Sequence, residues 1–220
     1  MKVQMCYSMF LKNFHKQNFV LKIYNHYMAK LHFFYSTMNA GKSTALLQSN
    51  HNYIESALKT LLFIPKPIGD KSNGKIVSRI GLEADAVIVD QAYDFYSEIK
   101  KLDHTDINCV FVDEAQFLSS KQVQGLGEIA DELNIPVMCY GIRTDFQGKL
   151  FEGSAELLAI ADNLNELKTI CSECDKKATM VIRLDQEGNI ILKGEKILVG
   201  GNDIYKTVCR KHFRKLTNLI

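Results

Sequence analysis

The amino-acid sequence predicts an α/β fold in which helices cover both faces of a mainly parallel sheet. From Leu31 onward, short apolar runs alternate with segments of helical spacing, and each run is apolar at consecutive positions. Strands buried on both faces have this pattern, because helices cover a parallel sheet from both sides. Paired cysteine and histidine residues at 171–174 and 209–212 add a small zinc-ribbon-like domain to this prediction.

The apolar runs predict five strands and the helical patterns predict two helices. The strands lie at residues 31–36, 60–65, 86–90, 109–113 and 136–141. Pro65 and Pro67 end the second strand, because proline does not continue the interior of a sheet. A loop that passes into a helix is predicted over 41–56, and a second helix over 119–133. The segment 66–79 has glycine and polar residues without an apolar run, and we expect a mobile loop there.

Composition and charge exclude several classes of protein. The chain has 220 residues, 46% hydrophobic and 24% charged, which excludes a disordered or fibrous protein. Its 27 basic and 25 acidic side chains give a formal net charge of +2, which argues against nucleic acid or an anionic membrane as its main partner. No apolar run approaches the roughly 20 residues that a membrane-spanning helix needs. We expect a cytoplasmic protein.

Residues 1–27 differ in composition from the remainder of the chain. They contain four lysines and no acidic residue, and the first acidic residue is Glu55. A transit peptide would be richer in arginine and serine. We therefore expect a dispensable extension, produced by an upstream start codon ahead of Met28. The predicted domains are a phosphate-loop α/β domain over 28–164 and a zinc-binding domain over 165–220.

The first chemical motif follows the first predicted strand. It fits the phosphate-loop pattern G-x-x-x-x-G-K-[ST], except that serine replaces the first glycine, and it comprises Ser36, Thr37, Met38, Asn39, Ala40, Gly41, Lys42 and Ser43. Backbone N–H groups of such a loop hold phosphate oxygens. Lys42 is expected to reach the β- and γ-phosphates, and the Ser43 hydroxyl to ligate Mg²⁺. A chance Gly-Lys-Ser before a helix is the alternative.

The second motif, Val-Asp-Glu-Ala-Gln-Phe at 112–117, ends the fourth predicted strand. An aspartate at that edge of a sheet is what a magnesium–nucleotide site needs, so Asp113 is a candidate for the metal or its bound water. Glu114, one residue later, is a candidate general base. The alternative is that two acidic residues begin an exposed helix, where they favour the helix dipole.

The third motif joins Cys171 and Cys174 with Cys209 and His212. Two such pairs supply the four ligands of a tetrahedral Zn²⁺ site, and four protein ligands leave no open position, so this site is predicted to be structural. A redox C-x-x-C pair is the alternative, but it leaves the second pair unexplained. Cys109 and Cys139 lie singly in apolar runs and are predicted to be small buried hydrophobic residues.

In this order and at these spacings, the motifs resemble the type II (cellular-type) thymidine kinases, especially the bacterial ones. The resemblance runs from Met28 to about Phe213 and includes MAKLHFFYSTMNAGKSTALLQ, VDEAQF, CYGIRTDFQGKLF, ELKTICSEC and VGGNDIYKTVCRKH. It implies a P-loop (RecA-like) domain that transfers the γ-phosphoryl group of ATP to the 5′-hydroxyl of thymidine. It also implies deoxyuridine as a second substrate, thymidine triphosphate (dTTP) as feedback inhibitor, and a homotetramer.

The resemblance also implies roles for individual residues. Glu114 matches the catalytic base, and the segment Asp113, Glu114, Ala115 and Gln116 matches a second nucleotide contact. Residues that match the walls of the thymidine pocket are Met38, Ile142, Phe146, Phe151, Val181 and Tyr205. Tyr205 belongs to a lasso-like loop between the zinc pairs, and Val181 is expected to make an apolar contact near the thymine methyl group. The sequence departs from the family's usual pattern in the extension 1–27 and at Asp70-Lys71.

Two other classes of protein remain open at this stage. The DEAQ sequence is similar to a helicase box, which is compatible with a nucleic-acid-dependent ATPase, although 220 residues leave no room for the second motor domain. A non-catalytic zinc-ribbon binding module leaves Lys42 and Glu114 unexplained. Arg143, which follows the last predicted strand, is a further hypothesis for a phosphate contact.

Overall fold

The computed structural model describes residues 28–194 and 204–219. In chain order its strands are β1 (Leu31–Ser36), β2 (Lys59–Pro65), β3 (Lys75–Val77), β4 (Glu83–Asp85), β5 (Val87–Val89), β6 (Ile107–Val112), β7 (Val137–Ile142), β8 (Asn163–Glu166), β9 (Thr169–Ile170), β10 (Lys177–Ala178), β11 (Met180–Leu184), β12 (Ile190–Ile191) and β13 (Tyr205–Val208). The helices are α1 (Lys42–Glu55), α2 (Lys66–Gly69), α3 (Phe95–Lys101), α4 (Ser120–Leu133), α5 (Glu152–Ile160) and α6 (Arg210–Thr217). Short 3₁₀ helices lie at His104–Asp106 and Ala115–Phe117.

The main sheet contains six of these strands in the order β5-β2-β6-β7-β1-β8, and every neighbouring pair is parallel. This confirms the predicted parallel sheet and all five predicted strands. Because β1, β6 and β7 are neighbours along one stretch of the sheet, their carboxyl ends meet at one edge. Ligands of open α/β sheets bind at that edge.

Helices cover both faces of the sheet, as predicted. On one face, Leu46 and Leu47 of α1 pack with Phe111 and Tyr140 of the strands. On the other face, a larger cluster joins α3, α4 and α5 to the sheet. Cys109 and Cys139 are fully buried, one in each cluster, which confirms their predicted role as small hydrophobic residues.

The segment 66–79, for which the sequence predicts a mobile loop, contains regular secondary structure. It contains the short helix α2 and the strand β3, which pairs with β4 in an antiparallel hairpin. The apolar side of this hairpin is held by Ile76, which is fully buried against α1. Strands of three residues give too short a pattern for detection, so only the tertiary contact of Ile76 reveals this hairpin.

The residues from 167 to 219 that the structure describes form a second cluster of small elements, here called the zinc unit. Two small antiparallel sheets, β10-β9 and β12-β11-β13, lie beside α6. Met180, Ile182, Val208 and Phe213 are among the buried residues of its own apolar core. The expected extension at 1–27 and residues 195–203 of the lasso-like loop lie outside the described residues. Across the part that is described, no helix has the length and apolar character needed to span a membrane.

Candidate functional site

The phosphate loop connects β1 to α1, as the sequence predicts. Asn39 and Gly41 have φ angles of 61° and 72°, so the backbone turns through the left-handed region twice within three residues. Such turns arrange backbone N–H groups around a concave anion site. The Lys42 ammonium donates to the Thr37 carbonyl at 2.9 Å and to the Ser36 hydroxyl at 3.2 Å. Lys42 thus lies over its own loop, where burial lowers its pKa.

Asp113 lies at the end of β6, opposite the beginning of α1. Its Oδ2 accepts a hydrogen bond from the Ser43 hydroxyl at 2.8 Å. The carboxyl is 3% exposed, and burial together with the neighbouring Glu114 raises its pKa. Oxygen ligands of this kind are those that Mg²⁺ takes beside nucleotide phosphates. The pair Ser43 and Asp113 therefore has the donor atoms and the proximity that a Mg²⁺ site requires.

Glu114 adopts an unusual backbone conformation. Its φ of 50° and ψ of 36° lie in the left-handed region, which is costly for a residue with a Cβ atom. Its Oε2 accepts a hydrogen bond from Gln116 Nε2 at 2.5 Å, and Gln116 Oε1 accepts one from the Ile142 N–H at 3.1 Å. Gln116 is 2% exposed. The carboxylate of Glu114 is consequently held by a buried amide that is itself fixed to the end of β7.

A cavity of about 460 Å³ brings the two ends of the predicted site together. Residues 38–43 of the phosphate loop and Glu114 line one part of it. All six residues predicted for the nucleoside pocket also line the cavity: Met38, Ile142, Phe146, Phe151, Val181 and Tyr205. Within it, Phe146, Val181 and Tyr205 form an apolar cluster with Met38 packed against it. The arrangement suits a ligand with a flat apolar ring on one side and a reacting hydroxyl near Glu114.

Several lining residues were not among the sequence-based candidates. Arg79, at the end of the 66–79 segment, donates to Asn39 Oδ1 of the phosphate loop and lines the same cavity. Asp145 also lines it and is 2% exposed; its Oδ1 accepts from the N–H groups of Gln147 and Lys149, both at 2.9 Å. No motif marks Arg79, which reaches the cavity only through the folding of its loop, whereas Asp145 lies within the CYGIRTDFQGKLF segment of the family resemblance and could have been found there.

Arg143 does not line this cavity. Its Nη2 donates to the Thr179 carbonyl of the zinc unit at 3.2 Å, and its side chain lines a separate groove together with Cys174 and His212. The side chain of Arg143 therefore links the end of β7 to the zinc unit.

The predicted zinc ligands come together in the zinc unit. The ligand atoms of Cys171, Cys174, Cys209 and His212 all lie within 4.8 Å of one another. His212 Nδ1 is 3.5 Å from Cys171 Sγ and 3.4 Å from Cys209 Sγ, and the Sγ atoms of Cys174 and Cys209 are 4.0 Å apart. Tetrahedral ligands about 2.0–2.3 Å from Zn²⁺ lie roughly 3.5–3.8 Å from one another, so this cluster could hold a zinc ion.

A phosphate loop that opens a helix, facing an aspartate at the end of a neighbouring parallel strand, defines a P-loop nucleotide-binding protein. Comparison with known proteins narrows that class. A family model described as "Thymidine kinase" matches residues 29–213. The chain belongs to the thymidine kinase family.

Bacterial relatives named thymidine kinase are similar over nearly their whole length. The protein from Coxiella burnetii is 54% identical over 85% of this chain and 96% of its own. The proteins from Agrobacterium fabrum and Mesorhizobium japonicum are 53% and 52% identical, over 87% and 86% of this chain and 99% and 92% of their own. Among solved structures, the Pif1 helicase from Candida albicans matches with a TM-score of 0.40 and 15% identity over 70% of this chain and 39% of that one, which is too weak a similarity to indicate function.

Proposed function

We propose that this protein is an ATP-dependent thymidine kinase, which transfers the γ-phosphoryl group of ATP to the 5′-hydroxyl of thymidine or deoxyuridine. The observation that supports this most directly is the single cavity lined by Lys42, Glu114 and the apolar residues around Phe146. A phosphate-binding loop and a pocket for a flat ring open onto the same space, with a carboxylate between them. Family membership supplies the substrate class.

The phosphate loop holds ATP in this proposal. The backbone N–H groups of residues 36–43 and the Lys42 ammonium contact the phosphates, while Ser43 and Asp113 hold Mg²⁺. When bound, Mg²⁺ supplies positive charge that neutralises the phosphate oxygens. Residues 113–116 form the second side of the nucleotide site. Phosphoryl transfer asks little covalent chemistry of the protein, so positioning and charge provide most of the catalysis.

Glu114 is the proposed general base. Its carboxylate lines the cavity and accepts a hydrogen bond from Gln116, which leaves Oε1 to take the proton of the 5′-hydroxyl. The left-handed backbone of Glu114 costs conformational energy, and residues in such conformations cluster at active sites, which favours a functional reason for it. A positioned base contributes typically 10²- to 10⁴-fold to such a step.

The thymine ring is proposed to lie against Phe146, Val181 and Tyr205, with Met38, Ile142 and Phe151 completing the wall. Val181 offers only apolar contact, which suits the thymine methyl group. Backbone groups of the lasso-like loop are proposed to bind the polar edge of the base; residues 195–203 of that loop lie outside the described residues.

The cysteine and histidine cluster is proposed to hold a structural Zn²⁺ within a zinc-binding domain over 165–220, beside an α/β domain over 28–164. Four protein ligands satisfy the tetrahedral preference of zinc and leave no place for a reacting water. By the same family relationship, we propose feedback inhibition by dTTP, a homotetramer and a cytoplasmic location, without nucleic acid or a membrane as partner.

The test is ATP-dependent phosphorylation of thymidine by the purified protein and by Glu114→Gln. Glu132→Gln, an exposed carboxylate of α4, is the matched control. We expect product from the parent and the control, and a fall in kcat of about a hundredfold or more for Glu114→Gln. Equal rates for all three would leave the kinase but contradict the role of Glu114. A zinc-loaded, folded parent that forms no product would contradict the proposed substrate.

A further inference from the structure

Two threonine hydroxyls join the phosphate loop to the zinc unit. Thr37 Oγ1 donates to the Met180 carbonyl at 3.1 Å, and this bond is buried. Thr169 Oγ1, at the beginning of β9, donates to the Asn39 carbonyl at 3.1 Å. Neither bond belongs to the phosphate-loop motif, since both connect residues more than 100 positions apart in the sequence.

These two hydrogen bonds involve residues that determine the shape of the phosphate loop. The Thr37 carbonyl accepts the hydrogen bond of Lys42, so the position of Thr37 sets the resting position of that ammonium group. Asn39 is one of the two loop residues with a left-handed backbone, and its side chain accepts from Arg79. The two hydroxyl contacts therefore fix Thr37, whose carbonyl binds Lys42, and Asn39, where the loop turns.

On the zinc unit, the accepting strand also belongs to the nucleoside pocket. Met180 begins β11, and the next residue, Val181, lines the cavity. Arg143 fixes the preceding carbonyl, that of Thr179, to the end of β7. One strand thus contacts the phosphate loop through Met180 and the ring pocket through Val181.

We propose that β11 of the zinc unit holds the phosphate loop in its ATP-binding shape, with Thr37 as the positioning residue for this contact. A loop whose N–H groups are reserved for phosphate makes few hydrogen bonds of its own, so ordering it on binding costs entropy. An external hydrogen bond reduces that cost before ATP arrives. The inference rests on the proposed binding of ATP at this loop.

The experiment measures equilibrium binding by titration calorimetry, separately for a non-hydrolysable ATP analogue with Mg²⁺ and for thymidine. Thr37→Val removes the hydroxyl while keeping the shape of the side chain, and Thr37→Ser keeps the hydroxyl. Thr207→Val is the matched control, because the Thr207 hydroxyl donates to the Ile170 carbonyl within the zinc unit alone. Thr169→Val removes the more exposed contact and is the second variant if Thr37→Val does not fold.

We expect Thr37→Val to weaken binding of the ATP analogue about tenfold, since ATP must then order a loop that has lost its hydrogen bond to β11, and to change thymidine binding less than about twofold. Thr37→Ser should bind within about twofold of the parent, and Thr169→Val about two- to threefold more weakly. Unchanged analogue binding by Thr37→Val, equal weakening of both ligands, no rescue by serine, or the same loss in Thr207→Val would overturn the inference. A parent that does not bind the analogue would refute the proposed function, and this inference with it.

Discussion

Replacement of Gln116 by methionine removes the two hydrogen bonds that connect Glu114 to the end of β7. Methionine has nearly the volume of glutamine but can neither donate to Glu114 Oε2 nor accept from the Ile142 N–H. The Glu114 backbone is already in a left-handed conformation, so its side chain loses its only hydrogen-bonded support among the described residues. We predict that the carboxylate then samples orientations unsuited to proton transfer.

The size of the effect follows from the type of bond. A hydrogen bond to a charged group is worth about 1.5–3 kcal/mol, and each 1.36 kcal/mol is a factor of ten in rate. If the bond serves to orient the base, kcat should fall by about ten- to a hundredfold. Loss of both bonds at a residue that is 2% exposed should also lower the free energy of unfolding by about 2–4 kcal/mol.

The assay is steady-state phosphorylation of thymidine together with thermal unfolding, compared with Gln122→Met. Gln122 is also buried, its amide donates to the Asp90 and Tyr93 carbonyls, and none of these three residues lines the cavity. Both variants should lose stability, but only Gln116→Met should lose kcat, with the KM for ATP within about threefold of the parent. The reasoning fails if both variants lose kcat equally, or if Gln116→Met keeps the parent's kcat.

Two further predictions concern the zinc unit. Arg183 stacks on the ring of Phe146, and its guanidinium carbon lies 4.0 Å from the ring centre. Arg183→Met should therefore raise the KM for thymidine about three- to tenfold, with the KM for ATP little changed, as measured by initial rates. A rise in both KM values would count against this prediction. Removal of metal by a chelator should release about one zinc per chain and lower Tm by on the order of 10 °C, as judged by calorimetry and metal analysis, because the four ligands lose the ion that joins them. A parent with no bound zinc, or a Tm unaffected by its removal, would contradict the structural metal site.

The local motifs could be predicted from the sequence because each is short and continuous in the chain. The phosphate loop is identified by the strand β1 before it and the helix α1 after it. This succession of apolar run, turn and helix can be recognised in residues 31–56. Spacing also marks the cysteine and histidine cluster, since both of its pairs have the three-residue separation that is typical of zinc ligands. The pocket residues follow from the family resemblance, and in the structure all six of them line one cavity.

Other features depend on contacts between distant segments. The β3–β4 hairpin has strands of three residues, and it is the burial of Ile76 against α1 that holds it in place. Arg79 reaches Asn39 only because this hairpin returns the chain to the phosphate loop. Arg143 follows β7 directly, but its side chain donates a hydrogen bond to the Thr179 carbonyl of the zinc unit. This acceptor lies 36 residues further along the chain.

The sequence by itself thus determined the parallel sheet, the phosphate loop, the cysteine and histidine cluster and the family. Each of these is encoded by apolar periodicity or by fixed spacing between residues that act on one ligand, which are properties of short segments. Only the tertiary structure decided how Glu114 is held by Gln116, how Thr37 is tied to Met180, and which way Arg143 points. The hydrogen bonds of Thr37 and Arg143 join residues on different elements, and Gln116, although only two residues from Glu114, is itself held by the distant Ile142 N–H. These partners are set by how the elements pack, which no local pattern records.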